Sequence, residues 1–533
     1  MSGAVIENLS GRKLTVIVAG LLVCQVVCFL IGGLIAPLPS NVQSILATVC
    51  LDDVDAFNDT SKWLWTQSEG SCRTVANSEN GVSLRNTQRA VFVFQMPMYD
   101  FDFSRWQQSL IGMLQLDLKL APNALPVGTV PITLDARLAY SNKGSPGWHR
   151  LATAVEVRHL ECETTAPHLV NCHPMALFEL GSLHHDYYLL NLRLPVDTAR
   201  HLNLDVEEVI AASLTTIFQN GGFTKVWISL KCAFAPITAA MMIWFWHRVA
   251  LLKRRPVLLE WMLLALAGAI TFLNLPVELL TLSIDMPFML LLADVRQGVF
   301  YATLLCFWLI FAGEHLMIQE TQRSTLRTYW RHLSAVLVAC VALFAFDMCE
   351  RGVKLRNPFY SVWTAPWSST VASVCITVAA VSAAIYFLFL CFMVYRVMRN
   401  IGAKRGSLST MSAARRLRYA GIIYRFQFLM LATVVCAALT VIGFIMGQVD
   451  EQKLKWSENG STIEVNSAFL TGVYGMWNVY IIALLALYAP SHKKTPEERP
   501  APQEEIEFSN FPAESNPSEI SSLTSFSRKA AFD

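Results

Sequence analysis

LTVIVAGLLVCQVVCFLIGGLIA, residues Leu14 to Ala36, is an apolar run with Arg12 and Lys13 before it and Pro37 after it. It matches the roughly 20 residues that carry a helix across a bilayer core. It is longer than a signal-peptide core, and Pro37 stands where cleavage would fall, so it reads as an uncleaved anchor. Outward from it, no comparable run occurs until residue 232. Such runs then return near 232–249, 257–278, 288–312, 333–349, 371–395, 421–447 and 468–489, making eight spans with the anchor. The chain is 54% hydrophobic and only 15% charged, against about a quarter charged in a soluble globular protein. A net charge of +2 leaves no electrostatic footprint for nucleic acid.

Lys and Arg orient the spans. Arg12 and Lys13, the loop with Arg248, Lys253, Arg254 and Arg255, the loop with Arg323, Arg327 and Arg331, the loop from Arg396 to Arg418, and Lys493 with Lys494 all fall on one side if eight spans are counted. Both termini are then cytosolic. The expected organisation is a cytosolic N-terminus (1–13), a first transmembrane helix (14–36), a luminal β-rich domain (37–229), a seven-helix transmembrane domain (230–490) and a disordered cytosolic tail (491–533).

Within 37–229 the pattern changes to alternation. Met113–Leu120 (MLQLDLKL) and Tyr188–Leu194 (YLLNLRL) alternate apolar with polar, and Val91–Gln95 and Ile132–Tyr140 do so more loosely. Period-2 runs separated by Pro and Gly predict an antiparallel sheet packed on one face, as a β-sandwich or small barrel. Cys50, Cys72, Cys162 and Cys172 lie here, an even number in an oxidising compartment. Of three connectivities, short-range pairing is the simplest. Asn58 and Asn459 head glycosylation tripeptides on the same side. His184-His185-Asp186 reads as a solvated turn rather than a metal site, because no matching ligand cluster accompanies it. No metal or cofactor is expected.

Polar groups within the spans, Asn274, Glu278, Arg425 and Asn478, are costly in lipid and should face the bundle interior. Asp294, Arg296, Asp347, Glu350 and Arg351 sit at span ends. Glu278 is the best cavity candidate among them.

Longer motifs then carry a resemblance. They are Gln219–Trp227 (QNGGFTKVW), Arg296–Tyr301 (RQGVFY), Phe346–Gly352 (FDMCERG), Asn357–Ser361 (NPFYS), Val465–Phe469 (VNSAF), Tyr474–Asn478 (YGMWN) and Leu487–Lys493 (LYAPSHK). In order, and to about Lys493, they resemble the Wntless family, cargo receptors that carry lipid-modified Wnt proteins to the cell surface. The resemblance implies a luminal β-sandwich on a seven-helix, receptor-like bundle with an extra first helix. It implies binding of acylated Wnt proteins, shielding of the acyl chain in the membrane bundle, secretion of the cargo and positive regulation of Wnt signalling. The implied location is the Golgi, endoplasmic reticulum, endosomes and plasma membrane. Glu278, Phe300, Tyr301, Phe346, Tyr474 and Trp477 are the expected lining of the acyl cavity.

A carrier must cycle. Tyr419-Ala420-Gly421-Ile422 fits Tyr-x-x-hydrophobic, which a clathrin adaptor can bind in extended form. Arg528-Lys529 resembles the family's basic retrieval signal, although the last four residues differ. The family also implies retromer and membrane lipids as partners. A G-protein-coupled receptor is disfavoured because Asp-Arg-Tyr is absent after the fourth span and Asn478-Val479-Tyr480 replaces Asn-Pro-x-x-Tyr. An enzyme is not expected, since no span interior holds a set of acid–base or nucleophilic groups.

Overall fold

The computed structural model describes Val5 and residues 11–52, 63–67, 72–74, 82–83, 90–98, 101–121, 128–145, 147–166, 168–252, 254–316, 326–407, 430–436 and 464–490. After the first helix, α1 (Gly11–Leu30, continued by one π turn Ile31–Ile35), come twelve strands. They are β1 (Ser40–Leu46), β2 (Thr48–Leu51), β3 (Cys72–Thr74), β4 (Val82–Ser83), β5 (Ala90–Met96), β6 (Leu110–Leu120), β7 (Thr129–Ser141), β8 (His149–Ala166), β9 (Leu169–Cys172), β10 (Met175–Leu180), β11 (Tyr187–Arg193) and β12 (Val206–Gln219). They form one antiparallel sheet in the order β1-β12-β6-β9-β8-β7-β11-β5-β2-β3, with β10 on β6 and β4 on β12.

The sheet curls at β8. Residues His149–Glu161 of that strand pair with β7, whereas Cys162–Ala166 pair with β9. Its two halves therefore pack face to face. Leu114, Leu118 and Leu214 from one half share a core with Phe94, Leu138 and Leu190 from the other. This is the sandwich form of the expected sheet. Cys50–Cys72 and Cys162–Cys172 are disulfides joining register neighbours on β2/β3 and β8/β9.

One expectation is corrected. The β5/β11 half is not covered on one face only. Its second face carries Cys50, Val91, Val93, Ala139 and Leu189, and Trp63, Leu64 and Trp65 pack over them. Asn191 binds this cover like a strand neighbour, its side chain accepting from Trp65 N at 2.7 Å and donating to Trp65 O at 3.0 Å. The polar members of that face are paired as well: Arg193 meets Asp52 at 2.7 Å, both buried.

The remaining helices are α2 (Gly221–Ala250), α3 (Leu258–Asn274, followed by a 3-10 turn Val277–Leu282), α4 (Met289–Leu316), α5 (Leu326–Asp347, ending in a π turn Met348–Gly352), α6 (Pro366–Ser407) and α7 (Glu464–Tyr488). With α1 these supply, among the described residues, seven helices long and apolar enough to cross a membrane. The expected span at 421–447 is described only over 430–436, where it is helical. The chain is thus a multi-pass membrane protein with an inserted antiparallel β domain.

The β domain ends sooner than expected. Residues 221–229 are not its last segment but the first turns of α2, begun by Asn220, whose side chain accepts from Gly222 N at 2.9 Å. Lys225 and Lys231 interrupt the apolar pattern there, so hydropathy alone starts the helix late. Lys225 lies over the Trp106 ring at 5.4 Å. At the other end of the bundle sequence, α7 takes α1 against small residues. A Cβ on Gly472 would sit 2.2 Å from the Phe29 ring, and one on Gly475 would sit 2.5 Å from Cys28.

Candidate functional site

The region beneath the β domain is built where α3 stops. Pro276 cannot continue a helix, and the chain turns through the 3-10 segment before α4. Helix ends leave carbonyls without intrahelical partners. Arg296 of α4 answers this: Nε donates to Phe272 O at 3.1 Å, and Nη2 donates to Leu273 O at 2.5 Å and also to Leu275 O. Its Nη1 reaches Glu278 Oε1 at 3.3 Å, and Lys231 of α2 pairs with the same oxygen. All three charged groups are buried, Arg296 at 1% exposure. Glu278 Oε2 has no hydrogen-bond partner among the described residues. The β domain closes over this turn, with Gln108 Nε2 donating to Thr281 Oγ1 at 3.2 Å and Arg105 Nη1 donating to Leu282 O at 2.8 Å.

Deeper in the bundle a polar layer joins α2, α3 and α7. Tyr474 Oη donates to Asn274 Oδ1 at 2.6 Å, and Asn274 Nδ2 donates to Asn478 Oδ1 at 2.6 Å and Thr238 Oγ1 at 3.3 Å. Beside it stands an aromatic tier. Trp477 meets Phe300 edge-on with centroids 5.9 Å apart, Trp308 at 6.0 Å and Tyr480 at 5.8 Å, and Tyr301 packs on Phe300 at 5.3 Å. Trp477 Nε1 is buried without a hydrogen-bond partner among the described residues. Trp227 and Phe234 flank Tyr474 at 4.8 and 5.9 Å.

Of the sequence-predicted lining, Phe300, Tyr301 and Trp477 therefore form one cluster. Tyr474 stands beside it in a second cluster with α1 and α2. Glu278 belongs to the ion cluster above. Phe346, half-buried near the end of α5, is not among the residues of the aromatic tier. Asn58, Asn459, Tyr419, Ile422, Arg425, Arg528 and Lys529 lie outside the described residues. His184 and His185 sit in the turn before β11, where His185 stacks on Tyr140 at 3.6 Å. Among the described residues no group of three His, Cys, Asp or Glu side chains could hold a metal ion.

Sequence reasoning missed two parts of this arrangement. Lys231 was hidden at the edge of an apolar run. The other part is the loop between α5 and α6, which enters the β domain. Phe359 is fully buried in the sandwich core against Phe178, centroids 6.1 Å apart. Its carbonyl accepts from Arg158, Pro358 O accepts from Glu179 N at 3.0 Å, and Asn357 Nδ2 donates to Glu156 at 3.0 Å. Lys354 spans Glu179 at 2.7 Å and Glu350 at 2.5 Å. The membrane bundle thus contributes a core residue to the sheet.

The family model for the Wntless GOLD domain matches residues 48–219, and that for the Wntless-like transmembrane domain matches 220–492. The chain belongs to the Wntless family. It is 54% identical to Protein wntless of Drosophila ananassae over 563 aligned residues, covering 100% of both chains. Protein wntless of Drosophila virilis matches at 54% and that of Drosophila grimshawi at 53%, again over the full length of both. The meeting of the two Wntless domains falls at Gln219/Asn220, where the last strand gives way to the α2 cap. Membership ties the chain to Wnt secretion and to a cargo-receptor family rather than a family of known enzymes.

Proposed function

We propose that the protein binds acylated Wnt proteins in the secretory pathway, shields the acyl chain within its membrane bundle, delivers the cargo to the cell surface and recycles. The observation that carries this reading is the match of both Wntless domains in order across residues 48–492, together with relatives 54% identical over the whole chain. The physical need is plain. Each buried CH₂ is worth about 0.8 kcal/mol, so a long acyl chain represents on the order of 10 kcal/mol of membrane affinity that a secreted protein must hide.

In this reading the aromatic tier of Phe300, Tyr301 and Trp477, with Tyr474 beside it, offers the acyl chain its apolar wall, without Phe346, which lies outside that cluster. The N–H of Trp477, without a partner among the described residues, is suited to an ester carbonyl. Glu278, with Lys231 and Arg296, forms the polar roof between chain and β domain, which grips the protein part of the cargo. Both termini face the cytosol. Tyr419 and Ile422 engage a clathrin adaptor, Arg528 and Lys529 serve retrieval, and retromer returns the receptor from endosomes to the Golgi. Asn58 and Asn459 carry glycans on the cargo side.

Co-precipitation in mild detergent tests the core of the proposal, using a Wnt protein and its variant with the lipid-bearing Ser changed to Ala. Capture of the acylated form alone is expected. Equal capture of both would transfer recognition to the β domain and remove the acyl chamber from the mechanism.

A further inference from the structure

Apart from the aromatic tier, a cavity of about 190 Å³ lies where three parts of the chain meet. The turn after β10 forms one wall, the segment entering α4 a second, and the α5–α6 loop a third. Its depth in the membrane follows from the lining. Leu290 and Leu291 belong to the first turn of one span (Met289–Gly313), and Arg351 to the last turn of another (Leu333–Gly352). The cavity therefore opens at the bilayer boundary on the β-domain side, at headgroup level.

Its charges are of two kinds. Lys354 pairs with both Glu179 and Glu350, and Arg351 pairs with Asp294. Arg356 on the loop wall and Asp285 on the α4 wall are exposed and form no ion pair among the described residues. An unpaired cation and an unpaired anion on separate walls of one small cavity suit a ligand that carries both charges. The volume is below the ~300–1,000 Å³ that encloses a whole drug-sized ligand, so it takes a polar head and leaves the rest outside. Leu290, Leu291 and Leu355 give the rest an apolar way out toward the bilayer.

We propose that this cavity binds the headgroup of a zwitterionic phospholipid from the adjacent leaflet, the phosphate on Arg356 and the ammonium on Asp285. The acyl tails remain in the bilayer. A lipid already concentrated in the leaflet occupies even a weak, solvent-exposed site, because binding is effectively intramolecular to the membrane. The bound head bridges the α5–α6 loop to the base of α4, directly beneath the β domain. This site is independent of the acyl chamber and of the cargo.

The test is native mass spectrometry of the full chain released from nanodiscs of equimolar phosphatidylcholine and phosphatidylglycerol. The wild type should retain one phosphatidylcholine in preference. Arg356→Ala and Asp285→Ala should each lower that retention about tenfold, the loss of one charge-assisted contact. Neither residue is buried, so both variants should keep the wild-type thermal unfolding midpoint, which is measured alongside. Equal retention of phosphatidylglycerol by the wild type would overturn the zwitterion assignment. Unchanged retention in the Arg356→Ala variant would overturn the site. Displacement of the lipid by free phosphocholine at equal concentration would overturn the membrane source in favour of a soluble solute.

Discussion

Phe359→Ala would loosen the docking of the α5–α6 loop in the β domain without touching a helix. Phe359 is fully buried in the sandwich core, and truncation of such a residue costs about 3–5 kcal/mol. The polar contacts of the loop survive the change, since Arg158 binds the Phe359 carbonyl and Glu179 N binds Pro358 O at 3.0 Å. The whole cost therefore falls on the docking equilibrium of the loop. At about 1.4 kcal/mol per decade, the undocked population should rise by roughly two to three orders of magnitude. Hydrogen exchange reads this at a chosen atom: Glu179 N–H loses its acceptor when the loop leaves. The Glu179 amide should exchange faster by that factor, while β6 amides near Leu114 and Leu116, which pair within the sheet, keep their wild-type protection. Phe359→Leu, which retains most of the volume, should fall between. An increase below tenfold at Glu179, or a parallel increase in β6, would refute the reasoning. The first would mean that Phe359 contributes little to docking, and the second that the domain unfolds as a unit.

Glu278→Gln leaves Lys231 and Arg296 as buried cations without a counter-ion and should cost about 3–5 kcal/mol, read as a lower thermal midpoint in detergent. Adding Lys231→Met should restore part of the loss, and a single variant as stable as the wild type would dismiss the ion cluster as a structural element. His185 titrates below its ordinary range because it is half-buried, stacked on Tyr140, with His184 and Arg105 adding to the effect and Asp285 and Asp186 opposing it. The unfolded chain then takes up the proton first, so stability contributed by the neutral ring is complete above the ordinary histidine pKa of about 6.5 and declines as pH falls below it. His185→Phe should flatten the stability profile between about pH 7 and 5, and an unchanged slope would assign that acid sensitivity elsewhere. Replacing Cys50 and Cys72 by Ser should cost about 2–5 kcal/mol and release the Trp63–Trp65 cover first, seen as early proteolysis there; simultaneous loss of β6 protection would contradict that order.

What could be read in advance depended on whether a local pattern reported its own surroundings. The spans were legible because twenty apolar residues have few other uses, and β6 because one of its faces meets the core and the other does not. In β12 the alternation is broken by bulges between Val206 and Glu208 and between Val209 and Ala211, so its period is lost where it begins. β8 is inverted. Val155 and Val157 are 64% and 50% exposed, while Glu156 and Arg158 turn inward to the Asn357–Phe359 segment. No window of sequence around β8 contains that segment, so the pattern points the wrong way until the loop is in place. The same distance hid Phe359, which looks like an ordinary aromatic between two spans. In the aromatic tier, residue type pointed to Phe300, Tyr301 and Trp477, yet nothing local told that they meet one another and that Phe346 is not part of that cluster.

The ion cluster shows how a costly group in the membrane can be explained before any function is assigned to it. Irregular backbone at membrane depth is tolerated only when its polar groups find partners inside the protein. α3 ends at Asn274 inside the predicted span, because Pro276 cannot donate to the ladder. The carbonyls of Phe272, Leu273 and Leu275 then need donors that no helix supplies, and Arg296 provides three of its N–H bonds to them. A buried guanidinium needs a counter-ion, and Glu278, on the turn that follows the break, is held where it can be one. The turn so fixed is the surface on which Gln108 and Arg105 of the β domain rest. Proline, arginine and glutamate are in this way one structural device that seats the β domain on the bundle. Lys231 is the member left over: Glu278 Oε1 already pairs with Arg296, so the carbonyls freed at the helix break are answered without it. A variant that removes only Lys231 should therefore disturb the fold least of the three, and an equal loss of stability from Lys231→Met and Arg296→Met would show that the cluster is not organised around the helix break.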